Sequence, residues 1–166
     1  MPTIHYARDE RFGGYLEQYE AGDVFHHWPG KTVTEADDHL FCLLTLAASP
    51  LHIDRAWAES QTSYGRNIVV GTYVYSLLLG MSVPDISGRA IANLGLSELL
   101  HLAPLFHGDT LYGVTEVLAT RVSQSRPRAG ILTVRTDGFN QDRLRVCTFT
   151  RSVLLPMRPE TADDQH

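Results

Sequence analysis

The chain has 166 residues, which is enough for one well-buried core and too few for two ordinary domains. Its formal net charge is −5 and its pI is near 5.9. Because the basic residues form no cluster along the sequence, this composition argues against a nucleic-acid partner. The apolar fraction of 43% is ordinary for a globular protein.

The two cysteines, Cys42 and Cys147, are too few and too far apart for a disulfide framework or a zinc site. The sequence shows no charged-then-apolar leader and no apolar run of about 18 residues. We therefore predict a reduced, cytoplasmic protein that does not bind membranes. Residues 1–156 are predicted to form one domain, and the polar residues 157–166 a flexible tail.

The first predicted helix covers about residues 35–46. Thr34 and Asp37 have the spacing of a capping box, with aspartate in place of the usual glutamate. The helix brings four apolar residues to one face, namely Leu40, Leu43, Leu44 and Ala47.

Pro50 is predicted to interrupt the chain after this helix, which leaves His52 in a loop. A second short helix is predicted over residues 54–61, with Asp54 as its N-cap.

The clearest helical pattern follows Gly71. Apolar residues recur there at spacings of three and four: Val70, Tyr73, Val74, Leu77, Leu78 and Met81. Tyr75 and Leu79 add apolar character to the other side, so this helix is predicted to be largely buried. Gly80 and Pro84 mark its end.

From Arg89 onward the pattern becomes that of strands. A short apolar run covers residues 90–96, and longer runs rich in Val, Leu and Thr cover residues 110–122 and 130–139. A last run covers residues 143–155. Helical segments therefore come first, a buried helix follows, and an antiparallel meander ends the chain. This order predicts an α+β fold, an antiparallel sheet curved round a central helix.

The segment Ser49-Pro-Leu-His52 resembles the active-site segment of the MaoC-like, (R)-specific enoyl-CoA hydratases, which have the hot-dog fold. In that family the segment reads Gly-Asp-x-Asn-Pro-Leu-His, and its Asp and His act together on a water molecule. In this chain the Asp position is Ala47 and the Asn position is Ser49. Three further segments resemble the family in the expected order: residues 32–37, 65–71 and 103–111. The resemblance covers roughly residues 20–155 and implies a single hot-dog domain.

The resemblance implies three catalytic positions. His52 would transfer protons, since the pKa of an ordinary imidazole, about 6.5, suits both acid and base roles. The backbone N–H of Gly71 would bind the thioester oxygen at the positive end of a helix dipole, and Ser49 would hold water or substrate. Six further positions are predicted to contact the substrate: Ala47, Pro50, Asp54, Val70, Thr72 and Tyr73.

Several of these residues have a structural alternative. His52 could instead donate to a backbone carbonyl, Gly71 could simply allow close packing at a buried helix start, and Asp54 has its N-cap role.

The alanine at position 47 removes the family's carboxylate. His52 must then serve both proton transfers through a relay, or another group must help it. Branches of the family that act on branched dicarboxylic esters, such as mesaconyl-CoA and β-methylmalyl-CoA, are less strict at this position, and a substrate carboxylate or an amine nucleophile is a possible replacement. Loss of an acid from an acid–base pair typically costs a factor of about 10² to 10⁴. A slower reaction, a different reaction and lost catalysis all stay open.

Four other polar residues near these segments give weaker predictions. Glu98 and His101 lie either at the mouth of the pocket or in a solvated loop. His107 and Asp109 are expected to make turn contacts.

Two further groups of basic residues are potential ligand sites. The adjacent His26 and His27 point to opposite sides of a strand, so no metal site is predicted there. Four arginines either meet the phosphates of CoA or form a solvated hairpin face: Arg126, Arg128, Arg143 and Arg145.

The predicted function is hydration or dehydration of an acyl thioester of CoA or a carrier protein, or conjugate addition of another nucleophile. No cofactor is predicted beyond the CoA or phosphopantetheine of the substrate itself. One alternative is a hot-dog thioesterase, which needs an acidic residue that residues 71–80 lack. Another is a non-catalytic acyl-thioester-binding protein. Because a single hot-dog sheet leaves an open edge and an incomplete pocket, a homodimer or higher homo-oligomer is expected.

Overall fold

The computed structural model describes residues 12–159 in full and the backbone of residues 4–6. In this part of the chain seven strands form one sheet in the order β1-β2-β5-β6-β7-β4, and β3 also pairs with β5. β1 and β2 pair in parallel, and every other pairing is antiparallel. The strands are β1 (Ile4–Tyr6), β2 (Val24–His26), β3 (Lys31–Thr32), β4 (Ala92–His101), β5 (Thr110–Val122), β6 (Ala129–Phe139) and β7 (Arg145–Pro156).

Four α-helices lie between β3 and β4. They are α1 (Glu35–Thr45), α2 (Pro50–Ile53), α3 (Arg55–Gln61) and α4 (Gly71–Ser82). A 3-10 turn (Leu16–Gln18) precedes β2, and a π-helical turn (Val83–Ser87) follows α4. None of these described helices is long and apolar enough to cross a membrane.

The antiparallel meander predicted for the second half of the chain is β5–β6–β7, with β5 at the predicted bounds. The prediction that helical segments come first is wrong, because β1, β2 and β3 precede α1. These strands have only two or three residues each, too few to show a period of two. The predicted strand at residues 90–96 also extends to His101, beyond a bulge at Glu98, whose φ is 54°.

α4 packs across the inner face of the sheet and forms the centre of the core. Its buried side chains include Val74 and Leu78, as the apolar spacing predicted. The helix approaches the sheet closely at Gly138, since a Cβ added to Gly138 would lie only 2.6 Å from Cδ1 of Leu78. Phe149 of β7 is fully buried in the same cluster and meets the ring of Tyr75 edge-on, with centroids 4.9 Å apart. The central helix round which the sheet curves is therefore α4.

α1 begins at the predicted capping box. Asp37 N–H donates to Oγ1 of Thr34, and Thr34 N–H donates to Oδ2 of Asp37. The ammonium of Lys31, 2.8 Å from Asp37, and the bonds to Thr34 lower the pKa of this carboxyl to about 2. The predicted apolar face is nevertheless exposed, with Leu43 66% and Leu44 75% accessible, and the helix instead buries Asp38 and Cys42.

β7 carries one charged side chain into the core. Arg151 is buried and donates to Oδ1 of Asn93 at 3.1 Å, to Oγ of Ser82 at 2.9 Å and to Oγ of Ser87 at 3.3 Å. Burial lowers the pKa of this guanidinium to about 10. Arg151 therefore ties the end of α4 to β4 and β7.

The predicted arginine group does not form one surface. Arg126 and Arg128 precede β6, whereas Arg143 and Arg145 follow it. The 11 residues of β6 separate the two pairs by about 35 Å.

The predicted tail is only partly described. Met157 N–H donates to the carbonyl of Arg128, and Arg158 N–H donates to the carboxylate of Glu17. The rest of the predicted tail, residues 160–166, lies outside the described residues.

Candidate active site

His52 lies on the one-turn helix α2 (Pro50–Ile53), so the prediction of a loop is wrong. Leu46, the C-cap of α1, adopts the left-handed conformation with φ of 61°, and Ser49 is the N-cap of α2. Pro50 occupies the first helical position, where its missing N–H costs no hydrogen bond. The proline that suggested a chain break therefore starts a helix.

One ring nitrogen of His52 is anchored and the other is free. Nδ1 lies 2.9 Å from the carbonyl oxygen of Ile68. Because a carbonyl can only accept, Nδ1 carries the hydrogen and Nε2 of the neutral ring keeps its lone pair. Within the described residues Nε2 has no hydrogen-bond partner. Donation to a backbone carbonyl, the structural alternative for His52, is thus compatible with a catalytic role, since the two use different nitrogens.

Asn67 holds α2 against the loop that leads into α4. Its buried amide donates to the carbonyls of Pro50 at 3.2 Å and Leu51 at 3.0 Å. Ile68 N–H adds a third bond, to the carbonyl of Leu51. Asn67 is not among the predicted site residues, although it lies within segment 65–71.

Asp38 fastens the other side of the same loop. Its fully buried carboxylate accepts from Val70 N–H at 3.0 Å and from Nε2 of His107 at 2.9 Å. His107 therefore bridges to α1, whereas Asp109 makes the expected turn contact with Phe106 N–H. Asp38 was overlooked because the leucines of α1 indicated a different buried face.

The start of α4 presents two free donors. Val70 N–H is bound by Asp38, and the N–H groups of Tyr73 and Val74 donate to the carbonyl of Val70. The N–H groups of Gly71 and Thr72 have no acceptor within residues 12–159. They lie at the positive end of a 12-residue helix, where an oxygen that gains negative charge is stabilised.

His52 and Gly71 line the same pocket, which has a volume of about 330 Å³. It is lined by His52, Tyr64, Ile68, Val69, Gly71, Val74, His101, Leu102, Ala103, Pro104, Leu105 and Val146. This set contains no carboxylate. The imidazole of His101 packs directly on Gly71, since a Cβ added to Gly71 would lie 2.7 Å from both Cε1 and Nε2. His101 thus lies at the pocket, at the end of β4, and the alternative of a solvated loop is wrong.

The comparisons with known proteins agree with this fold. The family model for mesaconyl-CoA hydratase matches residues 3–166. The chain belongs to the mesaconyl-CoA hydratase family. A mesaconyl-CoA hydratase from Cereibacter sphaeroides is 31% identical over 150 residues, which is 90% of this chain and 43% of that protein.

Two solved structures carry the same fold. The crystal structure of a MaoC domain protein dehydratase from Chloroflexus aurantiacus matches 92% of this chain and 43% of its own, with a TM-score of 0.85 and 28% identity. A Mycobacterium tuberculosis protein with a double hot-dog fold matches 90% of this chain and 46% of its own, with a TM-score of 0.77 and 25% identity. The predicted hot-dog fold and MaoC-like resemblance are confirmed. The chain spans less than half the length of these relatives.

The other predicted site residues of this family member lie outside the pocket lining. The N-cap Ser49 makes no side-chain capping bond, and Pro50 starts α2. Ala47 N–H donates to the carbonyl of Cys42 at the end of α1. Asp54 caps α3 by accepting from Trp57 N–H, its predicted structural role.

The remaining predicted contacts lie around the start of α4. Val70 is buried, and Thr72 is exposed. Tyr73 stacks on Phe41 with ring centroids 4.8 Å apart. Their roles in substrate binding stay predictions.

Two other polar residues, Glu98 and His27, make structural contacts. Glu98 accepts from the hydroxyl of Thr150 on the neighbouring strand. His27 is buried, with Nδ1 2.6 Å from Asp85 and Nε2 2.7 Å from Oγ1 of Thr115.

We expect Asp38→Ala to lower the free energy of unfolding by about 2–6 kcal/mol. Two groups, the buried Val70 N–H and the partly buried His107 ring, lose their acceptor, at about 1–3 kcal/mol each. Asp37→Ala is the matched control, because the exposed cap next to it contributes about 1 kcal/mol. Urea unfolding of both variants gives the comparison, and an equal loss for the two would contradict the role of Asp38.

Proposed function

We propose that the chain catalyses reversible addition of water to the double bond of a short, branched enoyl-CoA thioester of the mesaconyl-CoA class. The observation that carries this proposal is a shared pocket with a free base and a free donor, Nε2 of His52 and the N–H of Gly71. Water addition involves no net oxidation or reduction. The reaction therefore needs no cofactor beyond the CoA of the substrate.

The two groups match the two requirements of the chemistry. A base must take a proton from water as the water oxygen attacks the β-carbon, and Nε2 of His52 has the necessary lone pair. Negative charge then moves onto the thioester oxygen, where the N–H of Gly71 stabilises it. Both groups are held rigidly, because Ile68, Asn67 and Asp38 fix the segments that carry them.

The size of the pocket favours a short acyl group. A volume of about 330 Å³ is at the low end for ligand sites, which run from about 300 to 1,000 Å³. Val74, Leu105 and Val146 supply apolar surface for a methyl branch. The Cereibacter relative is named as a mesaconyl-CoA hydratase, which agrees with a substrate of this class.

A second candidate is supported by the missing carboxylate. Position 47 is alanine and the residues that line the pocket include no acid. The second candidate function is therefore non-catalytic binding of the acyl thioester, with catalysis by a separate hot-dog unit. The same absence speaks against thioesterase activity, which needs a carboxylate to activate water or attack the carbonyl.

We further propose that β4 pairs with a second copy of this chain. β4 is the last strand of the sheet and hydrogen-bonds to β7 along one edge. Three exposed side chains of β4 are leucines, Leu94, Leu96 and Leu100, and the exposed Leu102 directly follows the strand. An apolar strand edge of this length calls for a partner. The relatives of about twice this length, one with a double hot-dog fold, are consistent with two units joined.

The test is to incubate the purified chain with mesaconyl-CoA. Hydration removes the enoyl absorbance without releasing free thiol, and a thiol reagent measures the latter in the same sample. Crotonyl-CoA serves as the unbranched comparison. Thiol release with the double bond intact would indicate a thioesterase, and saturable binding with neither change would indicate the non-catalytic alternative.

A further inference from the structure

The imidazole of His101 occupies a position from which it can act on a thioester bound at Gly71. His101 is the last residue of β4 and pairs with Cys147 of β7. Its ring lies against Gly71 so closely that a Cβ there would be 2.7 Å from Cε1 and Nε2. Gly71 is thus a position where the absence of a side chain admits another residue's ring to the pocket.

Both nitrogens of His101 are free in the described part of the chain. Three other histidines form hydrogen bonds. His27 bonds to Asp85 and Thr115, His107 bonds to Asp38, and Nδ1 of His52 bonds to the carbonyl of Ile68. The pocket therefore holds two imidazoles, one anchored and one unbonded, and no carboxylate.

We propose that His101 is the second proton-transfer group of this site and delivers the proton that the α-carbon receives. The proposal rests on the proposed hydratase function. A thioester whose oxygen accepts from the N–H of Gly71 has its α-carbon two bonds from that oxygen. A ring in contact with Gly71 is therefore within reach of the α-carbon. This ring lies on β4, whereas the position of the family's aspartate, Ala47, follows α1.

The step balances with two imidazoles. Nε2 of His52 takes a proton from water while the water oxygen forms its bond to the β-carbon. The π electrons of the double bond move toward the thioester, and the α-carbon then bonds to a proton from the His101 imidazolium, whose N–H electrons return to the ring. His52 is left protonated and His101 neutral. Transfer of a proton from His52 to His101 through water restores both.

The experiment uses two reactions and three variants. Hydration of mesaconyl-CoA and of crotonyl-CoA reports the whole reaction. Incorporation of deuterium from D₂O at the α-carbon of butyryl-CoA, which has no double bond, reports proton transfer alone. His101→Phe keeps a planar ring without nitrogens, His101→Ala leaves space for added imidazole, and His39→Phe is the matched control outside the pocket lining.

We expect His101→Phe to lower hydration of both enoyl substrates and deuterium incorporation by about 10²- to 10⁴-fold, with an unchanged melting temperature. Added imidazole should restore a measurable part of the activity of His101→Ala. Unchanged rates in His101→Phe would overturn the proposal. So would a loss confined to mesaconyl-CoA, which would assign the ring to its carboxylate, or a loss without imidazole rescue.

The two proposals fail in different ways. A parent chain that incorporates deuterium in a His101-dependent manner but hydrates neither substrate would refute the hydratase function and retain the role of His101. Hydration that proceeds unchanged without His101 would refute the role of His101 and retain the hydratase function. A chain without either activity would refute both.

Discussion

Replacement of His52 by asparagine is expected to lower kcat/KM for mesaconyl-CoA by about 10²- to 10⁴-fold. The asparagine amide can donate to the carbonyl of Ile68 as Nδ1 of His52 does at 2.9 Å. It carries no group at the position of Nε2. The variant therefore removes the base and keeps the anchor, so that the loss measures proton transfer alone. Stopped-flow absorbance of the enoyl thioester gives the rate.

His52→Gln is the complementary variant. Its amide extends toward the Nε2 position and cannot take a proton from water. We expect the two variants to lose activity to a similar extent and to keep the parent's unfolding midpoint in urea. Full activity in either folded variant would contradict the role of His52 as the base.

Replacement of Leu96 by glutamate is expected to convert a dimer into a monomer. Leu96 lies in the middle of β4 and is 44% accessible in the single chain. A carboxylate buried without a partner at an interface costs several kcal/mol, and each 1.4 kcal/mol weakens association about tenfold. Because His101 lies on the same strand and lines the pocket, we also expect activity to fall at least tenfold. Light scattering coupled to size-exclusion chromatography gives the mass.

Leu144→Glu is the matched control, since Leu144 is 51% accessible and precedes the residues of β7 that pair with β4, which begin at Cys147. It should leave both mass and activity unchanged. A Leu96→Glu chain with the parent's mass would show that β4 is not the interface. A parent chain that is itself monomeric would refute the proposed pairing.

The regular elements were predictable where they are long. Apolar spacing located α4, which begins at Gly71 and ends at Ser82, between the predicted end markers Gly80 and Pro84. The long run rich in Val, Leu and Thr located β5. The short strands β1 and β3 were missed, and β2 was predicted only as a strand containing His26, since two or three residues carry no measurable period.

Periodicity was misleading about which face of α1 is buried. It correctly predicted that the leucines share a face, but that face is exposed, and the carboxylate of Asp38 lies buried instead. Burial of a carboxylate is stable only when donors meet it, and its donors, Val70 and His107, are 32 and 69 residues away in the sequence.

The sequence by itself determined the fold family, the place of His52 in the chain, the helix that begins at Gly71 and the absence of the family's aspartate at Ala47. These depend on local patterns and on a contiguous motif. Only the tertiary structure decided which ring nitrogen of His52 is free, that Asn67 and Asp38 hold the site, and that His101 packs on Gly71. Each of these is a contact between residues at least 15 positions apart in the sequence, and such contacts depend on how the sheet and helices pack rather than on any local pattern.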